Sequence, residues 1–169
     1  MAVFAAASAY ATQYATVEQA QKLTFGPAAQ FERRDLKLNK ELARDIEKLA
    51  GVRVRVFDVP LWEVSESGRP AGFFMIDEVY GKHELITYAL ALDTSGRIRQ
   101  IEILEYRENY GSQIRFAQWR AQFAGKSIVD PVELESDIQN ISGATLSCRH
   151  VTEGIKRLLA TYDRVLRKS

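Results

Sequence analysis

Three observations predict an α+β fold, an antiparallel β-meander packed against helices. Strand-like runs fill 71–79, 84–93 (rich in Ile, Tyr, Leu and Ala) and 97–106, with turn-forming residues between them. Farther on, Val151, Ile155, Leu158, Leu159, Tyr162, Val165 and Leu166 recur at intervals of three and four, the apolar stripe of a long C-terminal helix. That stripe follows directly on Ser142-Gly143-Ala144-Thr145, a run of small and hydroxyl-bearing residues suited to a helix start.

In chain order, residues 1–15 stand apart. Residues 2–11 are small and apolar, with the Ala-x-Ala patterns Ala7-Ser8-Ala9 and Ala9-Tyr10-Ala11. The stretch resembles the end of an export signal with its cleavage site, the alternative being a frayed alanine-rich tail. Residues 16–51 form an N-terminal helical segment. Thr16 and Gln19 fit a capping box, and Gly26-Pro27 stops that helix. Alternation at the end of 31–38 suits an edge strand. Asn39 caps a second helix with Leu42, Ile46 and Leu49 on one face, closed by Gly51.

Residues 52–169 contain the sheet and the long helix, one globular unit with 16–51 and a single core. Val52, Val54 and Val56 alternate with Arg53 and Arg55, which predicts a half-buried strand. A hairpin crosses Glu66-Ser67-Gly68-Arg69-Pro70, and Asp93-Thr94-Ser95-Gly96 turns the chain again, giving four or five strands in all. Ser112 is placed to cap a helix carrying Phe116, Trp119 and Phe123 and ended by Gly125-Lys126.

Bulk properties bound the function. With 23 basic and 22 acidic residues among 169, the net charge of +1 gives no electrostatic reason to expect nucleic acid as a partner. One cysteine, Cys148, excludes an internal disulfide and a multi-cysteine metal site, and two histidines make zinc chemistry a poor fit, so no metal is expected. No run of about 20 apolar residues is long enough to span a bilayer.

The stretch 142–147 carries the chemistry. Thr145 and Ser147 offer hydroxyls at a helix start, where unpaired N–H groups and the dipole favour an anion. Two readings stand: a helix cap with a tight turn, or an anchor for a phosphorylated ligand. Capping is what Ser and Thr commonly do at such a place; the second reading gains something from Arg149, Lys156 and Arg157, which make the helix basic near its start. Lys82-His83 are expected as solvated turn residues, the alternative being an approach to the bound ligand. Cys148 and His150, two apart on a helix, point in different directions, so Cys148 is expected as a packing residue.

Ser142-Gly143-Ala144-Thr145-Leu146-Ser147 resembles the flavinylation motif of the FMN-binding domain family, which includes the covalent-FMN subunits of sodium-translocating NADH:quinone reductase and of Rnf-type complexes. The likeness covers roughly residues 70–160. Strand 97–106 followed by Glu108-Asn109-Tyr110-Gly111 is similar to that family's strand and Glu-Thr-Pro-Gly, and Trp119, Phe123, Gly125 and Lys126 resemble its Phe-x-Gly-Lys helix end. Gln139 and Asn109-Tyr110 are departures: the family has an acidic residue six positions before the threonine, and Thr-Pro in the loop.

The resemblance implies FMN esterified through its phosphate to Thr145 by a flavin transferase that uses FAD. It implies a cofactor site built from Ser142, Gly143, Ala144, Leu146, Ser147, Glu108, Tyr110, Gly111 and Trp119. Tyr110 and Trp119 are candidate beds for the isoalloxazine, core packing or surface exposure being the alternatives. Such a protein is an electron carrier more than a stand-alone enzyme and needs no catalytic acid or base. Its partners are membrane-bound or extracytoplasmic redox proteins, and a periplasmic location fits the export-like start. A non-covalent FMN-dependent reductase and a flavin-free interaction or sensor domain are the alternatives.

Overall fold

The computed structural model describes residues 12–167. The export-like stretch at 2–11 lies outside the described residues. Strand β1 (Thr12–Gln13) precedes helix α1 (Val17–Phe25), which opens with the expected capping box. Thr16 Oγ1 accepts the Gln19 N–H at 3.1 Å, and Gln19 Oε1 accepts the Thr16 N–H at 2.8 Å. Strands β2 (Gln30–Arg33) and β3 (Leu36–Lys37) lead to helix α2 (Lys40–Ala50), capped by Asn39 and closed by a left-handed Gly51.

Residues 52–57 are not the strand that the valine alternation predicts. They are irregular, and pairing resumes only at β4 (Asp58–Val59), which joins β3 in a two-stranded sheet. The Val54 N–H that a ladder would use is taken by the Glu47 carboxylate at 2.8 Å. Val54 is buried and Val56 half exposed, so the alternation reflects one anchored valine.

The main sheet is the expected antiparallel meander: β5 (Leu61–Glu66), β6 (Arg69–Tyr80), β7 (Leu85–Leu92) and β8 (Ile98–Tyr106). β2 flanks β5 at one edge and the short β1 flanks β8 at the other. Ser67 and Gly68 both have positive φ, the primed-turn geometry that matches strand twist in a two-residue hairpin.

The segment after β8 departs from the predicted helix. It is broken into a 3₁₀ turn (Ser112–Arg115), the short helix α3 (Ala117–Arg120) and a second 3₁₀ turn (Ala121–Phe123). Phe116 is extended at φ −63°, ψ 132° and interrupts the first break, and Ser112 caps nothing; the residue before it, left-handed Gly111, opens the turn. Helix α4 (Thr145–Thr161) is the expected long C-terminal helix, and its last turn, Tyr162–Leu166, is a π turn.

Pleat alternation gives the sheet two apolar faces. Met75, Leu90 and Ile101, aligned across β6, β7 and β8, face the principal core with Ile46 of α2 and Val151, Ile155, Leu158 and Leu159 of α4. Each such fully buried side chain contributes about 1.5–3 kcal/mol. Phe74, Ala89, Ala91 and Leu104 point the other way, into a smaller cluster closed by Ala20 and Phe25 of α1. The sequence reading expects one core; the small residues on β7 conceal the second.

Arg157 pairs with Asp77, which also accepts the Tyr88 hydroxyl at 2.7 Å, and this ties α4 to the sheet. In a meander of this order, the β6–β7 turn and the C-terminal end of β8 share one end of the sheet. The first turn of α4 meets them there.

Candidate functional site

The start of α4 is built to leave its donors free. Its N-cap is Ala144, with no side chain to accept a hydrogen bond. The first helical bond with a preceding acceptor is Cys148 N–H to Ala144 O at 2.9 Å. Among the described residues, the N–H groups of Thr145, Leu146 and Ser147 have no acceptor. Three unpaired donors at the positive end of a 17-residue helix make a strong anion position. The cap reading of the small-residue run is therefore wrong in its mechanism: no hydroxyl of the motif caps the helix.

The three hydroxyls of the motif have different fates. Ser142 is exposed and stands outside the cleft described below. Ser147 is buried, and its Oγ lies 3.0 Å from the Tyr106 hydroxyl oxygen. Tyr106 donates its one proton to the Tyr110 carbonyl, so Ser147 must donate to Tyr106. Burial pushes the Tyr106 phenol above its ordinary pKa, with the Ser147 bond opposing it. Thr145 is half-buried, and its Oγ1 accepts the Asn140 Nδ2–H at 2.9 Å. Only Thr145 presents a reachable hydroxyl beside the free N–H groups.

A cleft of about 510 Å³ opens over this helix start, lined by Lys82, His83, Glu108, Asn109, Tyr110 and residues 143–147. That volume lies within the ordinary range of small-molecule sites. One wall is the β6–β7 turn, residues 81–84. Its N–H groups at His83 and Glu84 donate to Glu108 Oε1, the latter at 2.9 Å. Burial raises the Glu108 pKa, but the backbone donors of Glu84, His83 and Lys82 outweigh it and hold the carboxyl below its usual value. On the other side of the turn, His150 Nδ1 meets the carbonyls of Tyr80 and Gly81 at 2.5 and 3.1 Å. The turn is clamped from β8 and from α4 at once.

The opposite wall is 108–111. Gly111 has φ +85°, and a Cβ there would sit 2.7 Å from the Tyr106 hydroxyl, 3.2 Å from Ala144 Cβ and 3.3 Å from Ser147 Oγ. Glycine is required on both counts. Tyr110, 84% exposed, and Leu146, 39% exposed, give the cleft an apolar rim.

The approach to the motif is equally fixed. Asp137 accepts the N–H groups of Glu133 at 2.8 Å and Val132 at 3.1 Å and pairs with Lys126 at 2.9 Å. Burial opposes these bonds, yet they hold its pKa down. They stabilise Val132 at φ 44°, a costly conformation for a β-branched residue. Trp119, 4% exposed, packs edge-on against Phe123, and its indole N–H donates to Gln139 O at 2.8 Å. Gln122 Oε1 accepts the Gln139 N–H at 2.7 Å.

Residues 81–160 match the model of the FMN-binding domain family. That segment belongs to the family. The match contains every residue that lines the cleft, and it begins at the β6–β7 turn. No curated protein was found to match the chain. A flavin-binding protein is the functional class the family supports.

FMN-binding domain residues expected from the motif fall into two groups. Thr145, Leu146, Ser147, Gly143, Ala144, Glu108 and Tyr110 line the cleft, and Gly111 underlies it. Ser142 and Trp119 do not reach it; Trp119 is a core residue that holds the backbone at Gln139. Glu108 braces the neighbouring turn through Oε1, which accepts the His83 and Glu84 N–H groups. The basic residues expected to help an anion are elsewhere: Arg149 and Lys156 line a separate groove with Glu133, Glu135 and Glu153, and Arg157 is paired with Asp77. Cys148 is fully buried, as expected, and burial raises its pKa.

Lys82 and His83 are exposed turn residues, as expected, and they also line the cleft; among the described residues Lys82 forms no ion pair. Meander topology was the available signal, since it returns the end of β8 to the β6–β7 turn. Asn140 had no signal beyond its nearness to the motif.

The donor set fits FMN. A phosphate would be held by the N–H groups of 145–147 with Lys82 nearby, and Tyr110 and Leu146 offer apolar surface for a ring system.

Proposed function

We propose that this protein is an electron carrier whose FMN is esterified through its phosphate to Thr145. The observation that carries the reading is Thr145 Oγ1 itself, the one motif hydroxyl on a cleft-lining residue that is not buried, adjacent to three unpaired helix N–H groups. A phosphodiester keeps one negative charge, which those donors and the helix dipole stabilise. When bound, FMN supplies the redox chemistry, while the chain attaches it, orients it and tunes its surroundings. The clamped 81–84 turn and the fixed 132–140 approach pre-organise the walls, so binding does not have to order them.

Maturation requires a flavin transferase and FAD. The Thr145 oxygen attacks the FMN-side phosphorus of FAD, the new O–P bond forms, the pyrophosphate bond breaks, and AMP leaves with the electron pair. The threonine proton is lost to base. Gln139 has an exposed side chain on an immobilised backbone, which leaves it accessible to the transferase. The redox partners are membrane-bound or extracytoplasmic proteins, and the location is the periplasm, supported by the Ala-x-Ala run near the start of the sequence.

Intact mass of protein produced with and without the transferase tests the reading. The expected result is an increase of one FMN moiety only in the first, located on the peptide containing Thr145. An unmodified protein from co-expression contradicts it. Steady-state NADH oxidation by purified holoprotein would replace the carrier with a reductase.

A further inference from the structure

Asn140 is the residue at this site whose chemistry is unaccounted for. Its Nδ2 donates to Thr145 Oγ1 at 2.9 Å, while its Oδ1 is buried with no hydrogen-bond partner among the described residues. A buried unpaired acceptor costs about 1–3 kcal/mol, and a helix start could dispense with the contact altogether. The backbone around it is already held by Trp119, Gln122 and the Ile141–Ala144 turn, so the side chain is not needed to shape the loop.

We propose that Asn140 is a positioning residue for attachment of the flavin phosphate: its amide N–H fixes the Thr145 oxygen for transfer and remains bonded to it in the ester. This rests on the assignment of Thr145 as the attachment point. The chemistry selects an amide. Threonine hydroxyl oxygen can accept a hydrogen bond before transfer, when its own proton is still present. In the transfer the Oγ1–P bond forms at the FMN-side phosphorus of FAD, AMP leaves with the electron pair of the broken pyrophosphate bond, and the threonine proton goes to base. The product ester oxygen has no proton, so only a donor can bond to it. Nδ2 serves both states, and its donation leaves the hydroxyl proton directed away from Asn140 and free to be removed. A carboxylate at 140 could bond the hydroxyl but would repel the phosphodiester monoanion.

The test is the rate of flavinylation of purified apoprotein by an FAD-dependent flavin transferase, followed by intact mass. Wild type, Asn140→Ala and Asn140→Asp are compared, with thermal unfolding of each apoprotein as the folding control. Asn140→Ala is expected to lower kcat about tenfold, the kinetic equivalent of one hydrogen bond, with KM for apoprotein unchanged. Asn140→Asp is expected to be at least as slow at neutral pH. Relative to wild type at the same pH, it recovers as the pH falls and the carboxyl becomes a donor. A wild type that is modified while Asn140→Ala stays within twofold of it overturns the inference and leaves the attachment reading intact. So does an Asn140→Asp to wild-type ratio that is flat with pH, a readout that stands if Asn140→Ala fails to fold. Failure of the wild type to be modified overturns the attachment reading itself.

Discussion

Gly111→Ala tests the geometry of the cleft wall. Alanine at φ +85° costs about 1–2 kcal/mol in backbone conformation. Its Cβ would lie 2.7 Å from the Tyr106 hydroxyl, so the phenol must move. Displacement sacrifices the bonds to Tyr110 O and Ser147 Oγ, each worth about 0.5–1.5 kcal/mol. The total is about 2–5 kcal/mol, or roughly 4–20 °C in Tm for a domain of this size. Tyr106→Phe removes the hydroxyl and gives up those bonds in advance. In that background Gly111→Ala should cost only the backbone term, since the remaining neighbours at 3.2 and 3.3 Å can yield by a few tenths of an ångström. A double-mutant cycle by chemical denaturation, followed by circular dichroism, should therefore show a coupling of about 1–3 kcal/mol, the sum of the two bonds. Costs that add to within about 0.5 kcal/mol would refute the collision argument.

Two further outcomes follow from the clamps around the cleft. Glu108 has a depressed folded pKa, so its contribution is present above the unfolded value and is lost as pH falls through the folded one. Thermal unfolding from neutral to acid pH should show Glu108→Gln converging on wild type at the acid end; a constant gap refutes the role of the ionised carboxylate. Trp119→Phe keeps the ring in the core but removes the donor to Gln139 O, and denaturant unfolding should show a loss of about 1 kcal/mol. With the transferase, the same variant should still carry flavin, because Trp119 does not touch the cleft; complete loss would show that it does more than hold the backbone.

Much of this was legible because local chemistry and tertiary structure agree. Thr16, Asn39 and Gly51 act at helix ends where their own side chains or backbone freedom decide the outcome. The stripe on α4 and the strand alternation likewise need only a core to face. The misreadings occur where a distant group takes over. Glu47 claims the Val54 N–H and removes a strand; Phe116 turns outward, half exposed, and divides a helix. At the site, the motif marked Thr145 but gave it two rivals in role, Ser142 and Ser147. Burial of Ser147 against Tyr106 and the exposed position of Ser142 separate them, and both depend on contacts made across the fold. Lys82 and Asn140 enter through the same long-range placement.

The attachment of flavin to Thr145 is tested most directly by the colour of denatured protein. Wild type and Thr145→Val, each produced with the flavin transferase, are precipitated in acid, washed and redissolved in denaturant. Visible absorbance of a flavin in wild type and none in Thr145→Val is the predicted result. A colourless wild-type pellet, or a Thr145→Val pellet that stays yellow, would contradict it.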